Sequence, residues 1–365
     1  MCTFHVIIFR VHPRTFRLRV LGVAVVAIAS IASVTTQSQF QPSHATGSAA
    51  QAGTTEPGVR SGTVTGAAAR AGTAARIEMR RHRGTVVGNG RTLFLANRTT
   101  FRPRRMEVAL PPRVRARSWV VVDLKTGRVL GKHNARDERP QASTMKLLTA
   151  VTAARTVNRR TPHRVTRFEA HQTCTCAGLA PGRYYSFQTL MAGMLLPSGN
   201  DAAEALAGSY RWGRAGFYRA MNRTAHRLGA RDTVAKNASG LTARGSHSSA
   251  RDLVLLLRAA LRRPAVRHVL AMHSARIATV SGRHRHTVWR GTDYVNIYPH
   301  ALGKSGYTTP AGNTLVVGTW MGVHHIAVAV MHAPYGFVTS DARKLTTWAA
   351  GNFRGLRAVG RLPHS

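Results

Sequence analysis

The sequence predicts an α/β domain in which one antiparallel sheet is flanked by helices, together with a mostly helical subdomain. Short apolar runs typical of strands occur near both ends of the patterned region, and the segments between them have helical periodicity. A sheet that joins strands from both chain ends, with helices packed against it, accounts for this order of elements. With 365 residues, the chain is long enough for one substantial core and additional extensions.

The chain begins with the features of an export signal. Arg14, Arg17 and Arg19 precede a nearly uncharged run at residues 20–34, which ends in small residues. Because this run is short for a full bilayer span, we expect residues 1–36 to be a signal peptide. An uncleaved signal anchor and a buried helix are the alternatives. The arginine flank would remain in the cytoplasm, and the rest of the chain would be exported.

Residues 37–112 have a composition that disfavours a packed core. Ala, Gly, Thr, Ser and Arg dominate, and the acidic residues are Glu56, Glu78 and Glu107. We expect a disordered basic tether, with a short strand near residues 92–96 as an exception. The net charge of +40 suits an anionic polymer or a membrane surface as partner of this tether. Since no nucleic-acid-binding signature accompanies the charge, no specific nucleic acid is expected.

Regular structure is expected from about residue 113. Ser118–Asp123 is rich in β-branched residues and predicts a strand, which turns at Lys125-Thr126-Gly127 into a second strand at 128–132. The next helix carries Ser143. Further helices are expected at 186–196, 201–209, 217–228, 252–261 and 340–353, and further strands at 314–320 and 326–331.

A serine and a lysine lie three positions apart on the first predicted helix. Side chains at this spacing share a helix face, so the Ser143 hydroxyl and the Lys146 amine can form a hydrogen bond. A lysine in apolar surroundings has a lowered pKa, and its neutral amine could accept the serine proton. The alternative is an ordinary helix start with an exposed lysine, and the motif alone does not exclude it.

Two tripeptides further along the chain carry polar groups at predicted element boundaries. Ser198-Gly199-Asn200 lies between two helices, and Lys304-Ser305-Gly306 precedes Tyr307 at the start of a strand. The glycine of the second tripeptide would let a ligand lie close to the backbone. In isolation such tripeptides are usually turns, and the first could simply cap the following helix.

Taken in order, Ser143-Thr144-Met145-Lys146 and the two tripeptides resemble the three motifs of the serine D-alanyl-D-alanine carboxypeptidases of peptidase family S11. These are low-molecular-mass penicillin-binding proteins. The resemblance spans about residues 114–353 and includes the hairpin that leads to Ser143. It implies a β-lactamase/transpeptidase-like fold, a catalytic domain at 113–357 and a tail at 358–365.

The resemblance also implies the activity and its residues. The terminal D-Ala of a peptidoglycan stem pentapeptide would be removed through an acyl-enzyme on Ser143, with Lys146 as base and Ser198 as proton relay. Backbone N–H groups of Ser143 and Tyr307 would form the oxyanion hole. β-Lactams would inhibit, no cofactor or metal is implied, and the enzyme would work in the cell envelope. The implied substrate-binding residues are Asn200, which would hold the peptide backbone, Lys304 and Ser305, which would bind the carboxylate end, and Gly306 and Tyr307.

Two features depart from the family pattern or stay open. Gly291-Thr292-Asp293 replaces the Asn-Thr-Asn of many relatives, and Arg290 beside it is a candidate for carboxylate binding, although its spacing is one residue off. Cys174 and Cys176 provide too few ligands for a zinc site. A short-loop disulfide and two free thiols are both compatible with the sequence.

Two other functions remain as alternatives. A β-lactamase of the same fold needs a base that activates the deacylating water, and none of the acidic residues between the first and third motifs lies in a Glu-x-x-Leu-Asn segment. A non-catalytic wall- or polyanion-binding protein would use the tether alone, and the intact motifs argue against it. The acidic residues concerned are Glu169, Asp201, Glu204, Asp232, Asp252 and Asp293.

Overall fold

A computed structural model describes residues 85–86, 93–95, 99–103, 108–173, 175–291, 298 and 300–363, all within one compact unit, Thr73–Ser365. The expected export signal and most of the expected tether lie outside the described residues. The strands are β1 (Thr85–Val86), β2 (Leu93–Leu95), β3 (Thr99–Pro103), β4 (Val108–Ala109), β5 (Ser118–Asp123), β6 (Arg128–His133), β7 (His163–Arg164), β8 (Tyr184–Tyr185), β9 (Ser274–Ala278), β10 (Arg285–Trp289), β11 (Leu302–Thr308), β12 (Gly312–Met321), β13 (His324–Ala333), β14 (Leu356–Arg357) and β15 (Gly360–Arg361).

Most helices lie between β6 and β11 in the chain, and they form the expected helical part of the domain. None of the helices in the described ranges has the length and hydrophobicity needed to cross a bilayer. The helices are a short 3₁₀ helix (Ala142–Met145), α1 (Lys146–Thr156), α2 (Arg167–Ala170), α3 (Phe187–Leu195), α4 (Asn200–Gly208), α5 (Gly213–Arg227), α6 (Ala250–Leu261), α7 (Pro264–Ala271) and α8 (Val338–Gly351).

One antiparallel sheet organises the described part of the chain, and the expected fold class is confirmed. Its strand order is β11-β12-β13-β5-β6-β3-β14, with β2 paired to β3 and β15 paired to β6. The early strand β5 lies between β13 and β6, so strands from both chain ends meet in the middle. Every residue of β5 is buried because helices cover both faces of the sheet.

The two faces of β5 contribute to different hydrophobic clusters. Val120 and Val122 belong to the larger cluster, formed with α1, α3 to α7 and other elements. Trp119 and Val121 belong to the smaller cluster, which contains the buried face of α8. This alternation follows from the two-residue period of a strand. The larger cluster supports α1, the helix that carries Lys146.

Regular structure begins earlier than residue 113. The strand expected near residues 92–96 is present as β2, and β3 pairs with both β6 and β14 within the segment assigned to the tether. Phe101 of β3 is fully buried in the smaller cluster. The buried Phe101 side chain and the pairing of both strand edges stabilise β3. The sequence analysis missed this strand because the average composition of the segment is dominated by arginine and small residues.

Candidate active site

Ser143 lies on the 3₁₀ helix immediately before α1, and Lys146 is the first residue of α1. Residues three apart nearly eclipse in a 3₁₀ turn, and the two side chains form a hydrogen bond of 2.7 Å between Nζ and Oγ. The chain enters this turn through Ala142, whose φ of +49° is rare for a residue with a Cβ atom. Ser143 is half-buried between two buried neighbours. The hydroxyl is therefore held at the edge of the core.

β11 presses the third motif against this turn. A Cβ atom on Gly306 would come within 2.5 Å of the backbone nitrogen of Ser143, so only glycine allows this approach. The hydroxyl of Thr314 on β12 lies 3.1 Å from the carbonyl oxygens of Gln141 and Gly306. These contacts tie two strands to the turn that carries Ser143.

Lys146 is completely buried and is surrounded by three oxygen atoms. Its Nζ lies 2.7 Å from Ser143 Oγ, 2.7 Å from Asn200 Oδ1 and 2.8 Å from the carbonyl oxygen of Ser239. The last two oxygens can only accept hydrogen bonds. A neutral amine that donates to both therefore directs its lone pair at the hydroxyl of Ser143, which is the geometry required of a base.

The surroundings of Lys146 also favour loss of its proton. Burial holds the pKa of the amine well below its usual value, and the positive charge of Lys304 lowers it further. The negative charges of Glu204 and Asp201 act in the opposite direction. The net effect of these charges and of burial is a lowered pKa, so Lys146 can lose its proton below the pH at which lysine usually does.

The second motif joins α3 to α4. Ser198 has a left-handed φ of +65°, and its carbonyl oxygen accepts a hydrogen bond from the Thr175 hydroxyl. Asn200 uses Oδ1 for Lys146 and Nδ2 for the carbonyl oxygen of Thr173. The N-cap of α4 is Gly199, which has no side chain, and the bonds of the Asn200 amide show that it is directed at the lysine and not at the helix end.

The third motif lies on β11, where the sequence places it. Lys304 is buried and donates to the carbonyl oxygen of Ser305 at 2.9 Å. Burial lowers the pKa of Lys304 to about 7, so the ammonium form is present at neutral pH and below. Tyr307, one residue beyond Gly306, is largely exposed. The strand that approaches Ser143 through Gly306 therefore also carries a buried cation and an exposed aromatic ring.

Arg290 is held at the C-terminal end of α7. Its guanidinium donates to the carbonyl oxygen of Leu270 at 3.1 Å and lies 3.3 Å from Nδ1 of His273. The backbone of Gly291 bonds to that of Leu196, and residues 292 and 293 lie outside the described part of the chain. Carboxylate binding by this arginine stays a prediction.

The structure adds two site residues that the sequence did not single out. The carbonyl oxygen of Ser239 accepts from Lys146, and Glu204 on α4 holds the backbone of that loop through two N–H groups. A backbone carbonyl has no signature in a sequence. Glu204 did have one, because it lies among alanine and leucine residues on a predicted helix, and a carboxylate in such a stretch needs buried partners.

Within the described residues, no group of three or more His, Cys, Asp or Glu side chains is arranged to hold a metal ion. Cys176 is disulfide-bonded, whereas residue 174 lies outside the described residues.

The family model of D-alanyl-D-alanine carboxypeptidase, peptidase S11, matches residues 105–335 and covers all three motifs. The chain belongs to this family. The match confirms the family that the sequence motifs indicated, and it also confirms the expected activity of a serine D-Ala-D-Ala carboxypeptidase of the penicillin-binding type.

Individual relatives agree with this assignment. D-alanyl-D-alanine carboxypeptidase DacB2 of Mycobacterium tuberculosis is 34% identical over 226 residues, which is 61% of this chain and 76% of the relative. DacD of Escherichia coli is 30% identical over 285 residues, which is 73% of this chain and 70% of the relative. A solved D-alanyl-D-alanine carboxypeptidase from M. tuberculosis superposes with a TM-score of 0.64 at 32% identity, over 70% of this chain and 98% of that one.

Proposed function

We propose that Ser143 is the nucleophile of this carboxypeptidase and that Lys146 is its base. Neutral Lys146 takes the hydroxyl proton while Ser143 Oγ attacks the carbonyl carbon between the two D-Ala residues of the stem peptide. The observation that supports this most is the placement of the amine. Asn200 Oδ1 and the Ser239 carbonyl oxygen occupy its two N–H donors, so the lone pair faces the serine.

The tetrahedral intermediate needs donors for its oxyanion and a proton for its leaving amine. The backbone N–H groups of Ser143 and Tyr307 supply the donors, which stabilise negative charge most when they are fixed in advance. The close approach of Gly306 to the serine nitrogen supports this placement. Ser198 relays the proton from Lys146 to the amine, and D-alanine leaves. Water then hydrolyses the ester and restores the serine.

The substrate's terminal carboxylate binds to the third motif. Lys304 provides positive charge and Ser305 a hydroxyl, and Arg290 is a further candidate cation. Asn200 holds the peptide backbone with the N–H of Nδ2 that the Thr173 carbonyl does not use. Gly306 lets the peptide lie along β11.

We also propose that residues 1–36 direct export and that the arginine-rich segment after them contacts an anionic wall polymer or membrane surface. The family's substrate supports the first part, because peptidoglycan lies outside the cytoplasm. The net charge of +40 supports the second, since attraction to polyanions does not depend on a specific partner. Whether the enzyme is secreted or anchored by its N-terminus depends on cleavage of the signal.

Release of D-alanine from defined peptides tests the catalytic assignment. We expect the purified protein to release D-alanine from a peptide that ends in D-Ala-D-Ala, and to leave a D-Ala-L-Ala control intact. Ser143→Ala should release none from either peptide. A folded wild-type protein that released no D-alanine while still binding a wall polymer would favour the non-catalytic alternative.

A further inference from the structure

Glu204 is a buried carboxylate that three neutral groups hold in place. Its side chain is 1% exposed. Oε1 accepts hydrogen bonds from the backbone nitrogens of Ala238 and Ser239 at 2.9 and 3.2 Å, and Oε2 accepts from the Tyr218 hydroxyl at 2.5 Å. None of these donors carries a charge. The negative charge of Glu204 also acts on the Lys146 amine, whose pKa it raises.

A single residue connects this carboxylate to the proposed base. Ser239 donates its N–H to Glu204 and offers its carbonyl oxygen to Lys146. The charged groups that act on the pKa of Lys146 are Lys304 on β11 and two acids on α4, Glu204 and Asp201. Asp201 differs in structural role, since it bonds to backbone nitrogens of the segment before α3.

We infer that Glu204 is a positioning residue for acylation, which fixes the Ser239 carbonyl against Lys146 and keeps a negative charge within the buried site of that amine. The inference rests on the proposed role of Lys146 as base. An opposite charge in a buried site favours the protonated amine. Glu204 therefore raises the pKa of Lys146, whereas burial and the charge of Lys304 lower it. Its removal should let the base work at lower pH, which a purely structural role would not do.

Glu204→Gln separates charge from geometry. The amide oxygen can still accept from Ala238 and Ser239, and the amide nitrogen can donate to the Tyr218 oxygen. We expect the acidic limb of the penicillin acylation rate to move to lower pH in the full-length variant. Well below the wild-type midpoint, acylation should be about tenfold faster than in wild type, the effect of one nearby buried charge.

Glu169→Gln is the matched control. Glu169 is also 1% exposed and hydrogen-bonded within the helical part, to His163, Thr166 and Arg214, and it is not among the charges acting on Lys146. Its replacement should lower stability without moving the acidic limb. An equal loss of rate at every pH in Glu204→Gln, with no displacement of the limb, would overturn the inference.

A second readout does not depend on catalysis. The chain has only six lysines, so ε-¹³C-lysine NMR can follow each one, and loss of a signal in Lys146→Arg assigns the base. The Lys146 titration should move to lower pH in Glu204→Gln even if Ser143 were not the nucleophile. Should that variant not fold, Tyr218→Phe keeps the carboxylate charge, and its Lys146 midpoint should stay at or above that of wild type. An unchanged midpoint in Glu204→Gln, or a lowered one in Tyr218→Phe, would contradict the inference.

Discussion

At the residue scale, two buried lysines with different neighbours prepare the site. Lys146 has three oxygen atoms around its amine and two carboxylates nearby, whereas Lys304 has one backbone oxygen partner. Burial lowers the pKa of both groups. The proposed mechanism needs them in opposite states, with Lys146 neutral as a base and Lys304 charged to attract a carboxylate.

Lys146→Arg tests the base directly. A guanidinium stays protonated throughout the working pH range and cannot accept the serine proton. We expect acylation by penicillin to fall by about 10³-fold or more, in the range seen when an acid–base group is lost. Lys236→Arg, at an exposed lysine, is the control and should match wild type. Acylation by the Lys146 variant within a few-fold of wild type would show that another group is the base.

Lys304 predicts a loss of substrate affinity with rising pH. Its pKa of about 7 means that the ammonium is present below neutrality and is lost above it. KM for a D-Ala-D-Ala peptide should therefore increase as pH rises through about 7. The arginine of Lys304→Arg stays charged over this pH range. The KM of the variant should therefore not increase with pH, whatever its absolute value. The same pH dependence of KM in both proteins would assign the effect to a different group.

At the element scale, sequence patterns predicted the buried elements better than the exposed ones. β5, β12 and β13 are buried along most of their length, which gives continuous apolar runs. The β9–β10 hairpin buries only Ile277 and Val288, so no pattern indicated it. The three motifs were predicted from their residue types and their order in the chain. The left-handed turn at Ala142 had no sequence signal, because alanine rarely adopts it.

Gly306→Ala tests whether β11 must lie against the nucleophile. The added Cβ would meet the Ser143 nitrogen at 2.5 Å, so the strand or the turn has to move. Since a displacement of about 1 Å can cost about 100-fold in rate, we expect a loss of that order in acylation. Gly351→Ala is the control, because its Cβ would meet no atom within 4 Å at the end of α8. If both variants were acylated at the same rate, the close approach of β11 to Ser143 would not be needed for catalysis.

At the scale of the whole molecule, most of the acidic residues in the described part of the chain lie inside. The chain has 13 acidic residues against 53 lysines and arginines, so positive charge greatly exceeds negative charge. We expect such a net charge to attract polyanions, and salt to weaken the attraction. Seven of the acidic residues that the structure describes are buried: Asp123, Glu169, Asp201, Glu204, Asp232, Asp252 and Asp341.

Export can be measured with a fusion. Residues 1–55 joined to a reporter that is active only outside the cytoplasm should give signal, because the arginine flank and the apolar run at 20–34 have the order of a signal sequence. Replacing Arg14, Arg17 and Arg19 with glutamate should reduce the signal. Abundant but silent fusion protein would refute export and leave the enzyme without access to its substrate.

A covalent penicillin adduct on Ser143 tests the proposed acyl-enzyme most directly. The lactam amide takes the place of the scissile bond, and ring opening by Ser143 Oγ leaves the whole antibiotic attached as an ester. Mass spectrometry of the purified protein with benzylpenicillin should show one added antibiotic molecule, located on Ser143 by peptide mapping and absent from Ser143→Ala. It should persist, since the sequence has no recognisable deacylating glutamate segment. Unmodified wild-type protein would contradict the assignment of the nucleophile, and an adduct lost within seconds while penicillin is consumed would indicate a β-lactamase.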